Sequence, residues 1–240
     1  MRNKKYTHLF FDLDNTLWDF NKNSYLAMQE AFSVYIKPGN QLDFEKFFKT
    51  YSHYNQLLWK DYRNQLVSKK DLIRVRFQKT FDELDIDNAD AEEMNFIYLD
   101  EMPKQLNLIQ DALPVLNYLK SKGYQLNIIS NGFSEVQYKK LENTGLSAFF
   151  YKVFLSGEIK THKPGTKIFE HAIKSTNARK KSSLMIGDDW EVDICGAMNF
   201  GIDAVYLNQE QIGVKKIHFN EKNVISVYRV DTLSQLRCLL

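Results

Sequence analysis

The spacing of apolar residues changes character twice along the chain. Leu9-Phe10-Phe11 is a continuous apolar run that stops at Asp12-Leu13-Asp14, the pattern of a short buried strand ending at two carboxylates. From about Trp18 to Gln105 the apolar positions recur at three- and four-residue steps, which predicts helices. Tyr25, Met28, Phe32 and Tyr35 mark the first, and Phe44, Phe47, Phe48, Tyr51, Tyr54, Leu58 and Tyr62 the second. Lys37-Pro38-Gly39-Asn40 separates them. Ser68 with Asp71 forms a capping pair that opens a third helix carrying Leu72, Val75 and Leu84. A fourth starts near Asn88 or Asp90 and ends before Pro103. Four helices without a strand predict a small bundle inserted directly after the first strand.

Beyond Leu108 strands and helices alternate. The pattern predicts helices over 113–122, 134–143, 166–174 and 194–200, and strands over 124–129, 152–156, 183–187 and 204–207. Pro164 reads as the first position of the 166–174 helix, and Gly201 as a C-cap. Beyond Ile212 the pattern yields only a strand over 224–230 and a terminal helix over 232–239. Such alternation with short turns implies parallel crossovers. The expected fold is α/β: a Rossmann-like three-layer parallel-sheet core, residues 1–16 and 108–240, with an inserted α-helical cap, residues 17–107.

Composition narrows the function classes. A chain of 240 residues with net charge +2 carries too little positive charge to imply nucleic-acid binding. No apolar run is long enough to span a membrane, and the basic start, Met1 to Lys5, leads into a strand rather than a signal sequence. Cys195 and Cys238 form neither a metal spacing nor a disulfide framework. These features predict a cytoplasmic protein and leave its oligomeric state open.

In a parallel sheet the carboxyl ends of strands converge on one edge, where ligands bind. Four polar groups fall there: Asp12 with Asp14, Ser130-Asn131-Gly132, Lys163, and the acids from Asp188 to Asp193. Two carboxylates in one tight turn call for a cation or a shared proton. Ser130 offers a hydroxyl beside free backbone N–H groups, suited to phosphate oxygens or to a helix cap. Lys163 reads as a phosphate clamp or a solvated side chain. Gly187-Asp188-Asp189-Trp190-Glu191-Val192-Asp193 holds four acids, a hard-cation site or an acidic turn.

Asp12-Leu13-Asp14-Asn15-Thr16 after an apolar strand, followed in order by Ser130, Lys163 and the Asp188–Asp193 segment, resembles the four motifs of the haloacid dehalogenase superfamily. The inserted helices are similar to its first cap type. Ile129-Ser130-Asn131-Gly132-Phe133, Leu141-Glu142-Asn143-Thr144-Gly145-Leu146, Met185-Ile186-Gly187-Asp188 and Tyr206-Leu207-Asn208 resemble its bacterial pyrimidine 5′-nucleotidase branch. Two departures, Asp189-Trp190 in place of Ser-Leu and His162 in place of a small residue, bear on substrate preference.

The resemblance implies a Mg²⁺-dependent phosphomonoester hydrolase. Asp12 would be the nucleophile and Asp14 the general acid and base. Mg²⁺ would rest on Asp12, the Asp14 carbonyl and Asp188, with Asp189 or Asp193 supporting it. Ser130, Asn131 and Lys163 would bind the phosphate. The expected partner is a small phosphorylated metabolite, a pyrimidine nucleoside 5′-monophosphate first. Phosphoglycolate or a sugar phosphate, cleaved or isomerised, is the alternative. A haloacid dehalogenase typically lacks the second aspartate, and a silent binding module would have lost a carboxylate. Of the aromatics Trp18, Phe20, Tyr51, Tyr54 and Trp59, most are expected in the core, with one or two left to stack on a base.

Overall fold

β1, His8–Phe11, lies in the middle of a sheet that runs through two successive sets of crossovers. The structure is a computed structural model that describes residues 5–36, 42–208, 215–219 (backbone only) and 225–240. The expected helix break at 37–40 and Val224 of the late strand lie outside these residues.

The chain divides into two compact units, Met1–Phe20 with Leu106–Leu240 and, separately, Asn21–Gln105. In the first, β2 (Gln125–Ser130), β3 (Lys152–Leu155), β4 (Ser183–Gly187), β5 (Asp203–Leu207), β6 (Lys215–Phe219) and β7 (Ile225–Val230) join β1. The strand order is β3-β2-β1-β4-β5-β7-β6, all parallel except β6, which runs antiparallel to β7 at the edge. The chain winds outwards from β1 through β2 to β3, then returns to β4 on the other side. The reversal therefore falls between β1 and β4, the place where such sheets bind ligands. Phe11 is in register with Ile128 of β2 and Ile186 of β4, so Asp12 emerges one residue beyond a fully paired strand.

The helices of this unit are α5 (Ala112–Ser121), α6 (Ser134–Asn143), α7 (Ser156–Ile159), α8 (Thr166–Ser175), α9 (Gly196–Phe200) and α10 (Leu236–Leu239). Phe10, Met185 and Ala204 from the sheet, Ile168, Phe169, Ala172 and Ile173 from α8, and Ile194, Ala197 and Phe200 around α9 form one buried cluster. Gly201 ends α9 at φ +95°, as a C-cap requires.

Two expectations are corrected and one strand is added. Pro164 does not open a helix: α8 begins at Thr166, behind Gly165, and the Lys163–Pro164 peptide is cis. The helical path after β4 begins at Trp190, four residues early, because Asp189 caps Glu191 N and Val192 N and starts a π-helical turn, Trp190–Cys195. β6 is an additional strand; its sequence opens with two lysines, charges that suit a sheet edge and hide the strand pattern.

The second unit holds α1 (Phe20–Tyr35, from Asn21 on), α2 (Phe44–Arg63), α3 (Lys69–Glu83) and α4 (Ala91–Glu101). Ser68 and Asp71 form a reciprocal capping box on α3, and Asp90 caps α4. The buried stripe of α3 is not the expected Leu72, Val75 and Leu84 but Leu72, Arg76, Phe77, Thr80 and Phe81. Phe77 turns inward to stack on Tyr51 at 4.7 Å, and this rotation carries Arg76 into the core. Arg76 is only 2% exposed. It donates to Asn55 Oδ1 at 2.8 Å and to Asn95 Oδ1 at 2.5 Å. The rings of Tyr51, Phe77 and Tyr98 lie within 5.6 Å. Aromatic faces and amide oxygens thus stabilise a buried cation in place of a carboxylate.

Arg76→Ala should therefore cost about 2–5 kcal/mol, from the cavity and two amide oxygens left unpaired. In urea denaturation, Asn95→Ala should cost less in the Arg76→Ala background than alone, the sign of direct coupling.

Candidate active site

Asp12 donates its backbone N–H to Ile186 O at 2.9 Å, which fixes the residue between the ends of β1 and β4. Its carboxylate, 8% exposed, meets a buried cation from a distant loop. Lys163 Nζ lies 2.5 Å from Asp12 Oδ1, 2.7 Å from Asp193 Oδ1 and 2.7 Å from Ile129 O of β2. Three protein oxygens thus surround the ammonium, two as hydrogen-bond acceptors and Asp193 Oδ1 as an ion-pair partner. Asp12 Oδ2 accepts no hydrogen bond from the described residues. Burial opposes the charge on Lys163, but Asp12 and Asp193 outweigh it and hold the lysine protonated.

The lysine is delivered by a fixed loop. Asn131, expected to bind phosphate, spends its side chain on that loop. Its Nδ2 donates to Lys163 O and its Oδ1 accepts from Lys163 N, both at 2.9 Å. What Asn131 can still offer a ligand is backbone.

Beyond β4, Asp188 and Asp193 join the cluster and Asp189 does not. Asp189 is the cap of the π-helical turn. Asp193, four residues on, folds back beneath the strand end, where its Oδ2 accepts from Asp189 N at 3.2 Å. A Cβ on Gly187 would sit 2.2 Å from Asp193 Oδ2, so only glycine admits this carboxylate. Thr16, fully buried, donates to Asp188 Oδ1 at 2.9 Å and ties the first motif to the last. Asp12, Asp188 and Asp193 each offer an oxygen within 4.8 Å of the others. Burial raises the pKa of all three, and Lys163 opposes the rise on Asp12 and Asp193 without cancelling it. Asp188 is pushed up to about 7. Two buried carboxylates and a half-buried one facing one ammonium leave two negative charges uncompensated when all three are ionised, and oxygen donors at this spacing suit a hard divalent cation.

Asp14 stands apart. Asn15 follows it in the left-handed region at φ +57°, a conformation asparagine tolerates, and the turn carries the Asp14 side chain away from the other acids. Its Oδ1 pairs with Lys140 Nζ at 2.7 Å and its Oδ2 accepts from Gln137 Nε2 at 2.8 Å. Lys140 lies 3.9 Å over the Trp18 ring. Gln137 Nε2 also donates to Ser130 Oγ at 2.8 Å, and Gly132 N donates to the same oxygen at 3.1 Å. With both lone pairs occupied, the Ser130 hydroxyl keeps only its hydrogen to offer. The sequence reading gave Thr16 no role beyond its place in the first motif and passed over Gln137 and Lys140; the signal for the last two was three-residue spacing beside Leu141 on the buried face of α6.

Residues 9–207 match the model of the haloacid dehalogenase-like hydrolases. The chain belongs to that family. It is a hydrolase of the family with the expected Rossmann-like core. The pyrimidine 5′-nucleotidase YjjG of Escherichia coli is 30% identical over 98% of both chains. A glyceraldehyde 3-phosphate phosphatase of Methanothermobacter thermautotrophicus is 31% identical over 97% of this chain and 98% of its own. Among solved structures, the HAD-hydrolase YfnB of Bacillus subtilis, bound to magnesium, has a TM-score of 0.83 at 26% identity and covers 99% of each chain. Among the described residues no helix of this hydrolase is long and apolar enough to cross a membrane.

Two outcomes follow from the acidic cluster. Gly187→Ala should cost about 1–3 kcal/mol in urea denaturation, the usual penalty of overpacking, and weaken metal binding by displacing Asp193. The second concerns pH. The Asp188 carboxyl holds its proton more tightly folded, with pKa about 7, than unfolded, at about 4. Its contribution to stability should therefore fall as pH rises from about 4 to about 7 in metal-free protein. Asp188→Asn should flatten that decline in calorimetry. Added Mg²⁺ should raise the wild-type melting temperature more at pH 8 than at pH 5.

Proposed function

We propose that this hydrolase cleaves phosphate monoesters through a phosphorylated Asp12, with pyrimidine nucleoside 5′-monophosphates as its first substrate class. The observation that carries the reading is the separation of Asp12 from Asp14. One acid has Oδ1 held by Lys163 and Oδ2 left open, the arrangement of an aimed nucleophile. The other, two residues on, is set on a different cation and a neutral amide. Pairs of acids with separate environments take separate roles.

Asp12 Oδ2 attacks phosphorus as the ester P–O bond breaks, and Asp14 gives its proton to the departing oxygen. Asp14 then takes a proton from the water that attacks the phosphorus, releasing phosphate and restoring Asp12. The Ser130 hydroxyl and the backbone N–H groups of the 131–132 turn donate to non-bridging oxygens. Lys163 keeps the nucleophile's orientation and adds its charge. Asp12, Asp188 and the Asp14 carbonyl, with Asp193 behind them, would hold Mg²⁺. Once bound, the ion would offset the negative charge of the phosphate and its transition state.

The nucleotide assignment rests on the branch resemblance and on the Escherichia coli relative. The equally similar Methanothermobacter relative supports a second reading, a triose or other sugar phosphate, with phosphoglycolate in the same size class. In either reading the helical unit serves as the cap that selects the leaving group.

Asp12→Asn should reduce phosphate release to background with the fold retained by circular dichroism, and Asp14→Asn should lose about 10²–10⁴-fold in kcat. Chelation should stop turnover, Mg²⁺ should restore it, and Ca²⁺ should substitute poorly. A panel of pyrimidine and purine monophosphates, glyceraldehyde 3-phosphate, sugar phosphates and phosphoglycolate decides the substrate. A lead of more than about tenfold in kcat/KM for a sugar phosphate or phosphoglycolate, roughly 1.4 kcal/mol, overturns the nucleotide reading and leaves the phosphatase intact. Full activity after exhaustive chelation overturns the metal assignment.

A further inference from the structure

Gln137 and Lys140 are the two buried polar side chains of α6, 1% and 2% exposed, one helical turn apart. Neither has a structural partner of the usual kind. Among the described residues Lys140 pairs with no acid but Asp14, and Gln137 donates only to Asp14 and Ser130. The Gln137 carbonyl, Oε1, is buried and unpaired. An unmet buried acceptor costs about 1–3 kcal/mol, and such a group in a native structure calls for a reason. Turning the amide over would pair Oε1 poorly, since it would face a carboxylate and lose both donations. The orientation that leaves Oε1 unmet is the one that gives both amide hydrogens to the site. A Cβ on Gly132 would lie 2.3 Å from Gln137 Nε2, so the turn after β2 is shaped to let the amide in.

Resting on the phosphatase reading above, we infer that Gln137 and Lys140 are positioning residues that fix both oxygens of the Asp14 acid before substrate arrives, and that Gln137 also fixes the Ser130 hydroxyl as a donor. A free aspartate rotates about two side-chain bonds. Here each carboxylate oxygen accepts one bond from α6 and retains a second lone pair for the proton that travels to the leaving group. Holding the group in place removes orientational freedom from the step in which it acts. The Trp18 ring beneath Lys140 keeps the ammonium from swinging away. Gln137 adds a second effect, because its donation to Ser130 Oγ turns the hydroxyl hydrogen outwards.

The two residues therefore differ in what they should do, and leaving-group dependence separates them from structural residues. Nitrophenolate departs from phosphate without being protonated, whereas an alkoxide does not. The test measures the single-turnover rate of leaving-group release, with KM, on p-nitrophenyl phosphate and on the best alkyl phosphate of the panel, because the later hydrolysis of phosphorylated Asp12 calls on Asp14 for both esters. Lys140→Met should lose about 10²-fold in that release rate on the alkyl ester. It should lose less than a tenth of that on the aryl ester, with KM unchanged and partial recovery in Lys140→Arg. Gln137→Met should show the same asymmetry plus a raised KM on both esters. In an Asp14→Asn background neither substitution should lower the alkyl rate further. If Gln137→Met fails to fold by circular dichroism, the Lys140 pair carries the test through the other oxygen of Asp14. Equal losses on both esters, or additive losses in the Asp14→Asn background, overturn the inference while wild-type turnover leaves the phosphatase reading standing. Wild-type protein that cleaves neither ester overturns both.

Discussion

The contact on which the site depends is the Lys163 ammonium, enclosed by Asp12, Asp193 and the Ile129 carbonyl. It joins the ends of three strands, β1, β2 and the path out of β4, from a loop that belongs to none of them. A buried charge is tolerable only when its partners are close and complete, and removing one partner leaves the rest exposed to the low dielectric. The surroundings therefore concentrate on holding the lysine still. Asn131 grips its backbone from both sides. A Cβ on Gly196 would press within 3.0 Å of Pro164, which places α9 directly against the loop. Gly187 opens the space that Asp193 fills. Two glycines and an asparagine thus position one ammonium, and the ammonium positions one carboxylate oxygen.

That arrangement explains how acids two residues apart avoid behaving as one group. A shared environment would couple their protonation. Here the strand end points Asp12 at Lys163, and the turn through Asn15 points Asp14 at Lys140. Each acid has its own cation, one brought by the loop before α8 and one by α6. The excess negative charge is left on the side of Asp12, Asp188 and Asp193, where a divalent cation would be drawn, and is absent around Asp14.

The sequence made the strand ends legible because a run such as Leu9-Phe10-Phe11 followed by Asp is read from hydropathy alone. It placed Asp12, Ser130, Lys163 and Asp188 on one edge because parallel topology admits few alternatives. It could not decide between Asp189 and Asp193, since that depends on a cap and on the pitch of a π-helical turn. Gln137 and Lys140 were missed for a related reason. In Ser134-Glu135-Val136-Gln137-Tyr138-Lys139-Lys140 a lysine and a glutamine pass for solvated positions, and only the packing of α6 shows which lysine of the adjacent pair is buried. Arg76 evaded the pattern likewise, because a charged residue on an apolar face is read as a boundary of that face. In each case a polar side chain is satisfied by partners distant in sequence, which periodicity does not encode.

The same packing narrows where substrate selectivity can reside. Trp18 is fully buried against Lys140, and Tyr51 and Tyr98 enclose Arg76 in the interior of the helical unit. These large aromatics, candidates for stacking on a base by composition, are committed to structure. Tyr54 is half-buried with its hydroxyl donating to Glu83 at 2.6 Å, and Trp59 is half-buried on the same helix. For the cap role proposed above, this leaves the partly exposed side chains of the unit rather than its aromatic content. On that reading the ion-paired core and the surface that selects the leaving group can diverge separately. Relatives of near-equal identity that carry the names of a nucleotidase and a triose phosphate phosphatase are the outcome expected of that division.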